Sequence, residues 1–234
     1  MEILKGIEIL GKCIWIKKEK TLVLVDLHIG YEEALNKQGI LVPRMQFKET
    51  LSELKALLEK TKPKTIVING DLKHEFGEIS RQEWNETTAI LDLLMKYGKV
   101  VLVKGNHDTI LAPIARKKEL KTVNYFILGD ICFLHGDKMI ENKETAKCKT
   151  LIIGHEHPSI SLHEGMKAER YKCFLAGSWK NKKLIVMPSF LPIIEGSDIK
   201  QEKLLSPYLN NIKNFEVFVV GDKIYRFGKL KNIR

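Results

Sequence analysis

Five short apolar runs, rich in β-branched residues, each end in a polar segment that carries histidine, aspartate or both. Residues 21–25 lead into Asp26-Leu27-His28, and 65–68 into Gly70-Asp71-Leu72-Lys73-His74. Residues 100–103 lead into Gly105-Asn106-His107-Asp108, 131–134 into His135-Gly136-Asp137, and 151–153 into Gly154-His155-Glu156-His157. Runs that are apolar at consecutive positions suit strands covered on both faces. Six of the seven histidines lie in these segments, and only His163 stands apart. In layered α/β folds the carboxyl ends of strands share a rim where ligands bind. The five segments are therefore expected to converge on one site.

Helical patterns separate the runs. Residues 44–60 place Leu51, Leu54, Leu57 and Leu58 at helical spacing. Residues 80–97 open with Ser80 and Glu83 in a capping-box arrangement and stop at Gly98. The last third changes character. Residues 171–176, 182–187, 215–220 and 223–227 read as strands, with Gly221-Asp222 as a two-residue hairpin turn. The expected fold is α/β with a second, more antiparallel sheet packed on the first, and residues 1–234 read as a single domain.

The polar segments have a definite chemistry. Carboxylates, imidazoles and an amide oxygen are ligands for divalent transition metals. Asp26, His28, Asp71, Asn106, His135, His155 and His157 make seven donors, too many for one ion and enough for two that share a carboxylate. Two such ions leave net positive charge, which suits an anionic substrate and phosphoryl transfer. Asp108 reads as the cap of a helix from Thr109, and His74 as a surface-loop histidine.

In this order the segments resemble the calcineurin-like metallophosphoesterases: Asp-x-His, Gly-Asp-x-x-His, Gly-Asn-His-Asp, His-Gly and Gly-His-x-His. The Gly-Asp-Leu-Lys-His form is similar to repair nucleases of the SbcD kind. The stretch Asp26-Leu27-His28-Ile29-Gly30-Tyr31-Glu32 resembles the archaeal SbcD-related phosphoesterases. The resemblance implies a four-layer α-β-β-α sandwich with mixed sheets and a dinuclear centre. Asp26, His28 and His157 would hold one divalent ion and Asn106, His135 and His155 the other, with Asp71 shared. Mn²⁺ comes first, with Ni²⁺, Co²⁺, Fe²⁺ and Zn²⁺ also admissible. His107 would stabilise the phosphoryl oxygen or protonate the leaving group, Asp108 would orient it, and His74 would contact the phosphate or support the ligands. The implied activity is a metal-dependent phosphodiesterase on nucleotides or nucleic acid. The alternatives are a phosphomonoesterase on a small metabolite and a DNA-binding or scaffold module with little turnover. With the motifs ending at His157 and the chain read to Arg234, the extra DNA-binding capping domain of the repair nucleases is not expected.

Charge bears on the substrate. The chain carries 39 basic and 29 acidic residues, a net +10, and 33 of the basic ones are lysine. Lysines spread along the chain read as a solvated surface or as a polyanion groove. No apolar run reaches membrane-spanning length, and Met1-Glu2-Ile3 opens no signal peptide. Four widely spaced cysteines read as free thiols of a reducing compartment, the cytoplasm. No protein partner is specified by the sequence.

Overall fold

The computed structural model describes residues 1–42, 45–75, 79–165 and 167–233. Arg44, the first residue of the expected helix 44–60, and Arg234 lie outside them.

The first sheet has seven strands in the order β1 (Glu2–Leu4), β2 (Ile7–Leu10), β3 (Cys13–Ile16), β4 (Thr21–Leu24), β5 (Thr65–Asn69), β6 (Lys99–Val103) and β7 (Thr122–Val123). The first four pair antiparallel and the last four parallel. The parallel pairs need crossovers. These are α1 (Tyr31–Lys37) with α2 (Gln46–Thr61), then α3 (Arg81–Met95), then α4 (Ala112–Lys117).

The second sheet contains β8 (Tyr125–Leu128), β9 (Ile131–Leu134), β10 (Thr150–Ile153), β11 (Pro158–Glu164), β12 (Lys167–Trp179), β13 (Lys182–Val186), β14 (Ser197–Asp198), β15 (Glu216–Val220) and β16 (Ile224–Lys229). Its order is β14-β11-β12-β13-β10-β9-β8, with β15 and β16 added at β12. Short helix α5 (Lys143–Lys147) precedes β10.

Alternate side chains of each strand explain the layers. Val23, Val67, Val101, Phe133, Ile152 and Phe174 meet in a core between the sheets. Leu22, Leu24, Ile66, Ile68 and Leu102 face outward onto Leu54, Leu58, Ile90, Leu91 and Leu94 of α2 and α3. Both faces are covered, which is why the runs are continuously apolar. On the outer face of the second sheet, Leu134, Leu151, Leu175 and Leu184 meet Tyr208, Leu209 and Ile212.

The α/β sandwich is as expected, and its fourth layer consists of α5 plus largely non-helical chain. Pro188, Pro192 and Pro207 punctuate that stretch, and proline removes a donor and blocks a helix interior. The structure corrects three local expectations. The five runs divide between the sheets, with β4, β5 and β6 in the first and β9 and β10 in the second. The β15–β16 turn holds three residues, since Val220 pairs with Ile224 and Gly221 N–H donates to Lys223 O at 3.0 Å. Ser80 caps α3 by accepting from Glu83 N–H at 3.0 Å, while the Glu83 carboxylate turns to the His74 loop. All four cysteines are buried and none is in a disulfide. No described helix is long and apolar enough to cross a membrane.

Candidate metal centre

The carboxyl ends of the strands from both sheets meet at one rim. Asn69, the last residue of β5, holds the two sheets in alignment beneath it. Its buried amide donates to Leu134 O at 3.0 Å and Ile152 O at 3.1 Å, the ends of β9 and β10. Sequence reasoning missed this residue, because only the fold supplies its partners.

All seven expected donors gather at this rim. The ligand atoms of Asp26, His28 and His157 lie within 4.8 Å of one another, and so do those of Asp71, His135 and His155. Asp26 Oδ2 stands 3.2 Å from His157 Nε2, and His157 Nε2 stands 3.2 Å from His28 Nε2. Asn106 Oδ1 joins the second group at 2.8 Å from His135 Nε2. Asp71 Oδ2 lies between the groups, 3.2 Å from His135 Nε2 and 3.8 Å from His28 Nε2.

The backbone at these positions is unusual. Nine described non-glycine residues have positive φ, and five of them are Asp26, His28, Asp71, His155 and His157. Each such residue costs roughly 1–2 kcal/mol for an L side chain. Strain of this kind concentrates where geometry serves a site. Hydrogen bonds hold it in place. Asp26 Oδ2 accepts from His155 N–H at 2.9 Å, and Asp71 Oδ1 accepts from His107 N–H at 2.9 Å. Ser189 Oγ donates to Asp26 O at 2.8 Å, so the proline-punctuated stretch after β13 backs the site.

The electrostatics call for a cation. Burial pushes the His28 and His155 imidazoles below their ordinary range, which leaves neutral rings with a lone pair to give. Burial also favours neutral Asp71, but the His135 contact outweighs it and holds the carboxyl well below its usual value. Burial acts against a charged His135 as well, yet Asp71 and Asp26 raise it to about 9. The proton on His135 thus answers two buried carboxylates. Asp26 Oδ1 and His135 Nδ1 are buried 3.5 Å apart as an ion pair, and neither has a hydrogen-bond partner among the described residues, an arrangement costly for protein alone. This donor set fits divalent metal.

The three remaining candidates sit beside these groups. His107 Nε2 is 4.0 Å from Asp71 Oδ2. The His74 ring stacks on His107 with centroids 5.2 Å apart, approaches His28 Nδ1 at 3.4 Å and adjoins Tyr31, so it borders the site. Asp108 departs from the expectation of a helix cap. Its buried carboxylate is occupied by the N–H groups of Gly105 at 3.0 Å, Leu72 at 3.1 Å and Lys73 at 3.4 Å. It ties the Asn106 loop to the Asp71 loop, and a 3-10 turn, Asp108–Ile110, follows in place of a helix from Thr109. His163 lies on β11, away from the centre.

Gly105 admits Asp71, since a Cβ there would stand 2.0 Å from Asp71 Oδ1 and 2.4 Å from its nitrogen. A Gly105→Ala protein is therefore expected to bind Mn²⁺ about 10–100-fold more weakly, the range for losing a contact that orients a ligand. Calorimetric titration checks this, and unchanged affinity would refute the packing argument.

The sequence model of calcineurin-like phosphoesterases matches residues 20–222. Among solved structures, the nuclease MPE of Pseudomonas putida is similar at 18% identity and TM-score 0.69, covering 94% of each chain. The phosphoesterase Yfce of E. coli aligns over 86% of this chain and 88% of its own at 13% identity and TM-score 0.40. No curated protein matches the chain.

Proposed function

Because the chain belongs to the calcineurin-like phosphoesterase family, we propose that it is a metal-dependent phosphodiesterase acting on nucleotide or nucleic-acid diesters. The observation that carries this reading is the convergence of seven nitrogen and oxygen donors on one rim, with Asp26 Oδ1 and His135 Nδ1 buried against each other and without a hydrogen bond. Asp26, His28 and His157 would hold one divalent ion, and Asn106, His135 and His155 a second, with Asp71 shared. Bound there, the two ions would supply Lewis-acid charge to a phosphate ester and a water of lowered pKa.

The chain's own residues do the rest. His107 stands beside the donors with its Nε2 toward them, where the doubly protonated ring can give a proton to a departing alkoxide and return to its neutral form. His74, between His107 and Tyr31, is placed to meet a phosphate oxygen. Asp108 keeps the two ligand loops in register. Among the described residues, exposure rises from the base outward: Asp26 and Asp71 are 0% and 2% exposed, whereas the His107 and His157 side chains are each 17% exposed. The net charge of +10 favours a polyanion, and the similar Pseudomonas putida protein is a nuclease.

The test is a substrate panel with Mn²⁺, Ni²⁺, Co²⁺, Zn²⁺ and Mg²⁺, covering model diesters, monoesters, nucleotides and oligonucleotides. Mn²⁺ with diesters is expected to give the highest turnover. Protein that binds two ions yet cleaves no diester or monoester would overturn the reading.

A further inference from the structure

We propose that Glu83, on the first turn of α3, is a positioning residue for His107: its carboxylate fixes the His74 peptide, whose carbonyl fixes the tautomer and direction of the His107 ring. The inference rests on the role just given to His107, though its principal measurement does not. Glu83 Oε1 accepts from His74 N–H at 2.9 Å and from Glu75 N–H at 3.0 Å. The peptide held in this way presents His74 O to His107 Nδ1 at 2.5 Å. A carbonyl oxygen can only accept, so Nδ1 keeps a proton in both the neutral and the cationic ring, and Nε2, facing Asp71, is the nitrogen that takes up and gives away the transferable proton.

Glu83 is fully buried. On its helix the neighbouring buried positions are Thr87, Ile90, Leu91 and Leu94, an otherwise uncharged face. A carboxylate there is costly unless it is satisfied. The surroundings are built to admit it. Gly30 has φ +96°, and a Cβ on it would stand 2.9–3.0 Å from Glu83 Cγ, Cδ and Oε1. The Lys73 ammonium, buried with no hydrogen-bond partner among the described residues, supplies compensating positive charge. Burial raises the Glu83 carboxyl, while the two backbone N–H groups and Lys73 act against that rise.

The experiment uses the full chain loaded with diamagnetic Zn²⁺ and compares wild type with Glu83→Gln and Glu83→Ala. Nitrogen-15 NMR of the His107 ring, assigned with His107→Gln, reads the tautomer directly. Wild type and Glu83→Gln, whose amide oxygen still accepts, are expected to show a single Nδ1–H tautomer. Glu83→Ala is expected to lose it. In the same variant kcat should fall about 10-fold at nearly constant KM, as for a catalytic group slightly misplaced. In a His107→Ala background the same substitution should change kcat by less than about 2-fold. A wild-type tautomer in Glu83→Ala, or an equal kcat loss with and without His107, overturns the proposal. If Glu83→Ala does not fold, Glu83→Asp, one methylene shorter, decides by the same NMR readout. A wild-type chain that shows the tautomer and hydrolyses nothing would refute the phosphoesterase reading and leave the positioning role standing.

Discussion

Asp71→Asn is expected to abolish stable binding of the metal pair and, with it, hydrolysis. The substitution keeps the shape of the side chain and removes one charge at the point where the two donor groups meet. Asp71 Oδ2 is 3.2 Å from His135 Nε2 and 3.8 Å from His28 Nε2, so an amide there weakens both groups together. Loss of an outer contact alone costs about 10–100-fold in metal affinity, and loss of a shared ligand should exceed that. Elemental analysis after dialysis, with a thermal melt in the presence and absence of Mn²⁺, checks it. Wild type should gain melting temperature with added Mn²⁺, because a ligand bound only to the native state stabilises it. The variant should not. Two retained equivalents of metal in Asp71→Asn would remove the shared position from this residue.

His107→Ala should give the opposite pattern, with metal retained and turnover lost. The ring forms a further close group of nitrogen donors with His28 and His74 but contributes to neither of the two groups assigned to the ions, and its Nε2 is 4.0 Å from Asp71 Oδ2. Positioned proton transfer contributes about 10²–10⁴-fold, and kcat on an alkyl diester is expected to fall within that range. A p-nitrophenyl ester, whose leaving group departs without protonation, should lose much less. Equal losses on both substrates would assign His107 to the phosphoryl oxygen, and no loss on either would end its proposed role.

The sequence showed the donors clearly and their framework poorly. Asp26, Asp71, Asn106 and the six histidines around them stand out because each follows an apolar strand at once, so residue type and strand end are read together. Which sheet each strand joins was not legible, because a run buried on both faces looks the same in either. Asn69 and the carboxylate of Glu83 went unread for a related reason. Their partners lie 65 and 9 residues away, and nothing local marks them as shared. Asp108 could only be read through its neighbours in sequence, whereas two of its three partners come from the Asp71 loop. The antiparallel strands β1 to β3 did leave a signal, the in-out alternation of Ile7, Glu8 and Ile9 between Gly6 and Gly11. Strands of three or four residues give it little weight.

The division of the donors between two sheets has a mechanical consequence. Asp26, His28, Asp71 and Asn106 follow strands of the first sheet, and His135, His155 and His157 follow strands of the second. The gap between these two jaws is gauged by the apolar slab behind them, where Phe133, Phe174 and Phe218 set the thickness. A substitution that thins or shears that slab retunes the bite from the rear, without altering any residue that faces solvent or substrate.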